Sequence, residues 1–135
     1  MMATNSVTKY GCTVTARTPK FAGIDEASGI RKADFQIEVD CPNGNRTVTV
    51  KQKIFEKDAP PLDEDDPLYS KTHTHTFTEG GSKVFHFIRE VPDTDWGVGD
   101  DTEELYHSVQ FKVAKEDVVS AWTDWVSSKV REMQQ

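Results

Sequence analysis

The sequence has no apolar run long enough to span a membrane, no HExxH pair on a helix, no Gly-rich phosphate loop after a strand and no nucleophile elbow. The sites of zinc peptidases, P-loop nucleotide enzymes and serine hydrolases therefore have no counterpart in it. Residues 1–8 show neither the basic nor the apolar region of a secretory signal, which predicts a cytoplasmic protein. Positive charge is in short supply, with 16 Lys and Arg against 23 Asp and Glu, a net charge of -7 and a pI near 5.0. That balance argues against nucleic-acid backbones and anionic membranes as partners. No composition shift, internal repeat or second apolar block divides the chain, so 1–135 is read as a single domain, long enough to bury one core.

Cysteine is scarce as well. By strand alternation Cys12 and Cys41 both face inward, near the same end of neighbouring strands, so a disulfide is geometrically open to them. Without a leader, the reading is two small buried hydrophobic side chains. An inward, apolar setting would raise the thiol pKa and works against Cys12 as a nucleophile. The sequon Asn45-Arg46-Thr47 matters only in a protein secreted by a eukaryote.

What the sequence does contain is turns and alternation. Asn43-Gly44 separates residues 33–41 from 46–55, and Gly80-Gly81 separates 69–78 from 82–91, each pair reading as a hairpin. Counting outward places Val39 opposite Val48 and Ile37 opposite Val50. In the second ribbon it places Phe77 opposite Val84, His75 opposite His86 and His73 opposite Ile88. Residues 7–18 and 103–113 alternate in the same way. The predicted fold is mainly β: an antiparallel six-stranded meander, forming a sandwich or a strongly curved sheet. Residues 118–133 then read as one amphipathic α-helix packed on it, because Val118, Val119, Ala121, Trp122, Trp125, Val126, Val130 and Met133 cover half of a helical circumference. Glu116 and Asp117 at its start, with Lys129 and Arg131 near its end, suit the helix dipole.

On that fold the long connections 19–32, 57–68 and 92–102 share one end, where binding residues tend to be placed. Asp63 and Asp65 lie in the second, Asp93 and Asp95 in the third, and Trp96 stands among glycines and aspartates without an evident core partner. These five are the candidate binding residues. The function they predict is a non-catalytic interaction module whose acidic end contacts a basic protein surface. The alternative is a carrier holding a small apolar ligand in a cavity between the sheet and the C-terminal helix. Asp93-Thr94-Asp95 with Glu104 is a poor calcium loop, with Gly97 and Val98 at two of its key positions. His73, His75 and His86 on one ribbon face, with His107 on another strand, could converge on zinc, but no carboxylate stands ready to orient them, so they read as packed histidines. Asp100, Asp101, Glu103 and Glu104 are neighbours that so acidic a chain produces by chance and do not indicate glycoside hydrolysis. No enzyme, metal or cofactor is predicted.

Overall fold

The computed structural model describes residues 5–56, 67–91 and 102–134. The chain begins with a hairpin: β1 (Ser6–Lys9) turns into β2 (Cys12–Ala16) through Tyr10-Gly11, where both φ angles are positive, 48° and 78°. That two-residue turn matches the twist of paired strands. β3 (Lys20–Ile24) and β4 (Arg31–Asp34) form a second hairpin, its turn held by the Asp25 carboxylate accepting from the Ala27 and Ser28 amides. There follow β5 (Ile37–Cys41), β6 (Arg46–Glu56), β7 (Tyr69–Phe77), β8 (Gly81–Phe85), β9 (Ile88–Glu90) and β10 (Thr102–Lys115). Three short strands, β11 (Val118–Val119), β12 (Val126–Ser127) and β13 (Arg131–Gln134), run back along the second edge of β10.

Three antiparallel sheets result. The first has the order β1-β2-β5-β8, the second β11-β10-β6-β7, and a small third β3-β4-β9. The first two share one core, to which Val14, Ile37, Val39 and Phe85 come from one side and Val48, Val50, Phe77, Val109, Phe111 and Val113 from the other. A second cluster of Ala33, Phe35, Ile54, Phe87, Val91 and Leu105 closes one end.

The six-stranded meander with a C-terminal helix is thus not the fold. Asn43-Gly44 closes no hairpin, since β5 pairs with β2 and β8 while β6 pairs with β7 and β10. Gly80-Gly81 likewise carries the chain from β7 in the second sheet to β8 in the first. Both turns are corners between layers, and they touch. A Cβ on Gly44 would run into the Thr78 carbonyl, and one on Gly80 into the carbonyl of Pro42. The inward sets Ile37, Val39 and Val48, Val50 are buried as alternation requires, but they meet across the core and not along a ladder. Two predicted strands also break. Residues 7–18 reverse at Tyr10-Gly11, and 82–91 changes sheet at His86-Phe87, where Asp34 accepts from the Phe87 amide and pairs with His86.

The helix expected over 118–133 is absent: this segment is an extended strap on β10. Three residues tie it down, each with a reciprocal pair of bonds. Ser120, Thr123 and Ser128 donate their amides to the carbonyls of Val113, Phe111 and His107. Their hydroxyls accept from the amides of the same three partners at 3.0, 3.0 and 3.1 Å. The strap therefore satisfies a strand edge that a helix would have left open. Val-, Ser- and Thr-rich sequence favours this outcome, because β-branching restricts side chains in a helix and hydroxyls compete for backbone bonds. The helix under which the carrier reading placed its ligand is therefore absent.

Cys12 at the start of β2 and Cys41 at the end of β5 face each other one position beyond the Thr13 and Asp40 pair and are joined as a disulfide, which replaces the two free thiols read from the sequence. Among the described residues no helix is long and apolar enough to cross a membrane.

Candidate functional site

Four strand termini converge at the end closed by the second cluster. Glu56 at the end of β6 pairs with Leu105 of β10, Ile54 pairs with Tyr69 at the start of β7, and the Tyr69 hydroxyl donates to the Glu90 carbonyl at the end of β9 at 3.1 Å. The chain segments 57–66 and 92–101 therefore leave and return at this one end. Asp63, Asp65, Asp93, Asp95 and Trp96 belong to those segments and lie outside the described residues, as does the run from Asp93 to Asp101. Their charge is a matter of sequence: the two segments hold nine acidic residues and one lysine, a balance of -8 that leaves +1 for the rest of the chain.

The third connection, 19–32, is the β3–β4 hairpin, and it joins the same end because β4 pairs with β9. Here Phe21, Ile24, Ile30 and Ile88 are exposed. Arg89 stands beside them, its guanidinium 4.8 Å from the Phe87 ring centre and 5.4 Å from that of Tyr69.

Inside the molecule the histidines separate, and among the described residues no three metal-ligating side chains gather. The predicted pairing of His75 with His86 is replaced by His75 beside Val48 and His86 on Asp34 at 2.8 Å. His73 and His107 are instead linked through Gln52, which is 1% exposed. His73 Nε2 donates to Gln52 Oε1 at 2.8 Å; Gln52 Nε2 donates to the Phe35 carbonyl and to His107 Nδ1, both at 2.9 Å; His107 Nε2 donates to the Arg17 carbonyl at 2.7 Å. Every bond in this chain is satisfied with both imidazoles neutral and protonated on Nε2. Burial is the main reason each is held down at about 4, with Lys71 adding to the effect at His73 and the Arg17 carbonyl opposing it at His107. Packing and proton bookkeeping occupy these groups, so they serve the fold.

The outer face of the second sheet holds a feature that alternation alone did not reveal. Lys51 of β6 stands 4.3 Å from the centre of the Trp122 indole, Lys112 of β10 stands 5.0 Å from the same ring, and Lys53 stands 4.9 Å from Trp125. The strap brings both tryptophans over this face. A helix over 118–133 packed on the sheet would instead place them in the core. The signal in the sequence is the pair Lys51 and Lys53 at strand spacing, with Ser120, Thr123, Ser127 and Ser128 spread through the terminal segment.

Two open surface hollows are lined by mixed side chains: one of about 310 Å³ by Tyr10, Arg46, Lys115 and Val118, another of about 380 Å³ by Lys32, Tyr69, Ile88, Arg89 and Glu90. Neither is an enclosed apolar chamber. No protein-family model matches the chain, and no curated protein matches it.

Proposed function

We propose that the chain is a non-catalytic protein-binding module that uses the end where its two acidic segments are anchored to engage a basic protein surface. The observation that carries this reading is the exposure of Phe21 and Ile24 on one face of the small sheet beside those anchors, with Ile30 exposed in the adjoining turn and Ile88 on the opposite face. Apolar side chains bordered by charge are the anatomy of an interface, in which the apolar part supplies affinity and the charged rim steers approach. The concentration of -8 in two segments at that end makes a basic partner the complementary one. The Cys12–Cys41 bond supports work in an oxidising compartment and weighs against the cytoplasm.

The test is a binding screen of the full chain against folded basic domains and cationic peptides. A partner so found should associate more slowly as salt rises. Its affinity should fall by about 2 kcal/mol or more with Phe21→Ser or with Trp96→Ala. Joint replacement of Asp63, Asp65, Asp93 and Asp95 by Asn should slow association while leaving thermal stability nearly unchanged. Equal binding by all three variants would move the interface elsewhere.

A further inference from the structure

We propose that the outer face of the second sheet binds a linear anionic polysaccharide, one bearing sulfate or uronate groups. The face presents Lys51, Lys53 and Lys112 among neutral neighbours: Thr49 and Gln110 occupy the positions opposite Lys112 and Lys51, with Ser108 opposite Lys53. Among the described residues none of the three ammonium groups pairs with a carboxylate. Each is instead stacked on an indole of the strap.

That arrangement has two consequences. A surface lysine ordinarily loses rotamer freedom when it binds a ligand, and stacking has already removed much of it, so the ordering cost is lowered in advance. Among the described residues the three cations also have no carboxylate as an ion-pair partner. A polyanion supplies what is missing and displaces its own condensed counterions in doing so.

The spacing favours an extended ligand running along the strands. Lys51 and Lys53 are two residues apart on β6, roughly 6.7 Å along the strand. Trp122 and Trp125 are three residues apart on a strap that advances two β10 residues for every three of its own, roughly 7 Å, which matches the lysine spacing. On the far side of the lysines, exposed Thr72 and Thr74 of β7 offer hydroxyls level with Lys51 and Thr49, which suits a hydroxylated chain. A single-stranded nucleic acid is the poorer fit, because its bases bind by stacking on open aromatic faces and here lysines already stack on those faces. The disulfide, which belongs with an oxidising compartment, points the same way.

Heparin is the probe, titrated against the full chain at about 0.15 M salt, with dextran as the uncharged control and oligodeoxythymidine as the nucleic-acid control. Heparin should bind and dextran should not. Replacing Lys51, Lys53 and Lys112 together by Gln should weaken heparin binding at least about 30-fold and reduce the slope of log affinity against log salt by about two to three. The same three positions changed to Arg, which keeps both charge and stacking, should bind within about threefold of the parent. If the triple Gln variant fails to unfold cooperatively, Lys53→Gln alone, which leaves both lysines on Trp122 in place, should still lose about threefold. Absence of heparin binding, heparin binding untouched by the Gln variants, equal binding of dextran, or tighter binding of oligodeoxythymidine through the same lysines would each overturn the proposal.

Discussion

Gln52 occupies an inward position on β6 that alternation would assign to an aliphatic side chain, and it is buried between two histidines. Its amide has the right number of donors and acceptors to serve His73, His107 and the Phe35 carbonyl at once, which an aliphatic residue could not do. Because both imidazoles sit near 4 in the folded chain and near 6.5 when unfolded, the unfolded state binds more protons between those values. The stability these neutral histidines permit is complete above pH 6.5 and is lost as pH falls toward 4. A shift of that size is worth about 3 kcal/mol for each histidine. Urea midpoints should therefore fall between pH 6.5 and 5, where most carboxylates remain ionised, and the fall should shrink in a His73→Gln, His107→Gln variant. A parent chain with a flat profile over that interval would show that the two rings are protonated in the folded state.

At the scale of elements, the two glycine turns explain both what was legible and what was not. A glycine pair announces a reversal, and the alternation beside it announces which side chains face inward. Neither states whether the chain turns within one sheet or crosses to another, since Ile37 and Val50 are buried in both cases. The layers' separation is decided where the corners meet, at Gly44 against Thr78 and Gly80 against Pro42. Gly80→Ala should cost about 1 to 3 kcal/mol, because backbone atoms of Pro42 stand where the methyl must go. Thermal unfolding checks this, with Gly81→Ala as a control whose Cβ meets open space. The strap teaches the complementary lesson. Its apolar residues span half a helical wheel, but Ser120, Thr123 and Ser128 fall where their hydroxyls can serve the amides of β10, and that ladder outweighs the helical pattern.

For the whole molecule, the disulfide and the distribution of charge matter most. The Cys12–Cys41 bond links residues 29 apart and ties β2 to β5 in the middle of the first sheet. Loop-closure entropy for that separation predicts about 3 to 4 kcal/mol of stabilisation. The midpoint of guanidinium unfolding should drop accordingly in a Cys12→Ser, Cys41→Ser chain, and in the parent under a thiol reductant. Equal midpoints for the reduced and oxidised parent would remove the bond from any structural role. Charge divides the molecule differently: an acidic excess in two segments anchored at one end, and a lysine row on a sheet face with no carboxylate partner among the described residues.

The sequence by itself determined that the chain contains antiparallel strands, which residues of β2, β5, β6 and β10 point inward, and where its negative charge is concentrated. These follow from period-two alternation and from composition, both local properties. Strand partners, the cysteine pairing, the course of residues 118–133 and the stacking of Trp122 and Trp125 on lysines were decided by the tertiary structure. The physical reason is the same in each case: a strand edge or a buried polar atom takes whichever partner satisfies it best. Ser120, Thr123 and Ser128 take the edge of β10 that β6, paired along the other edge, leaves free.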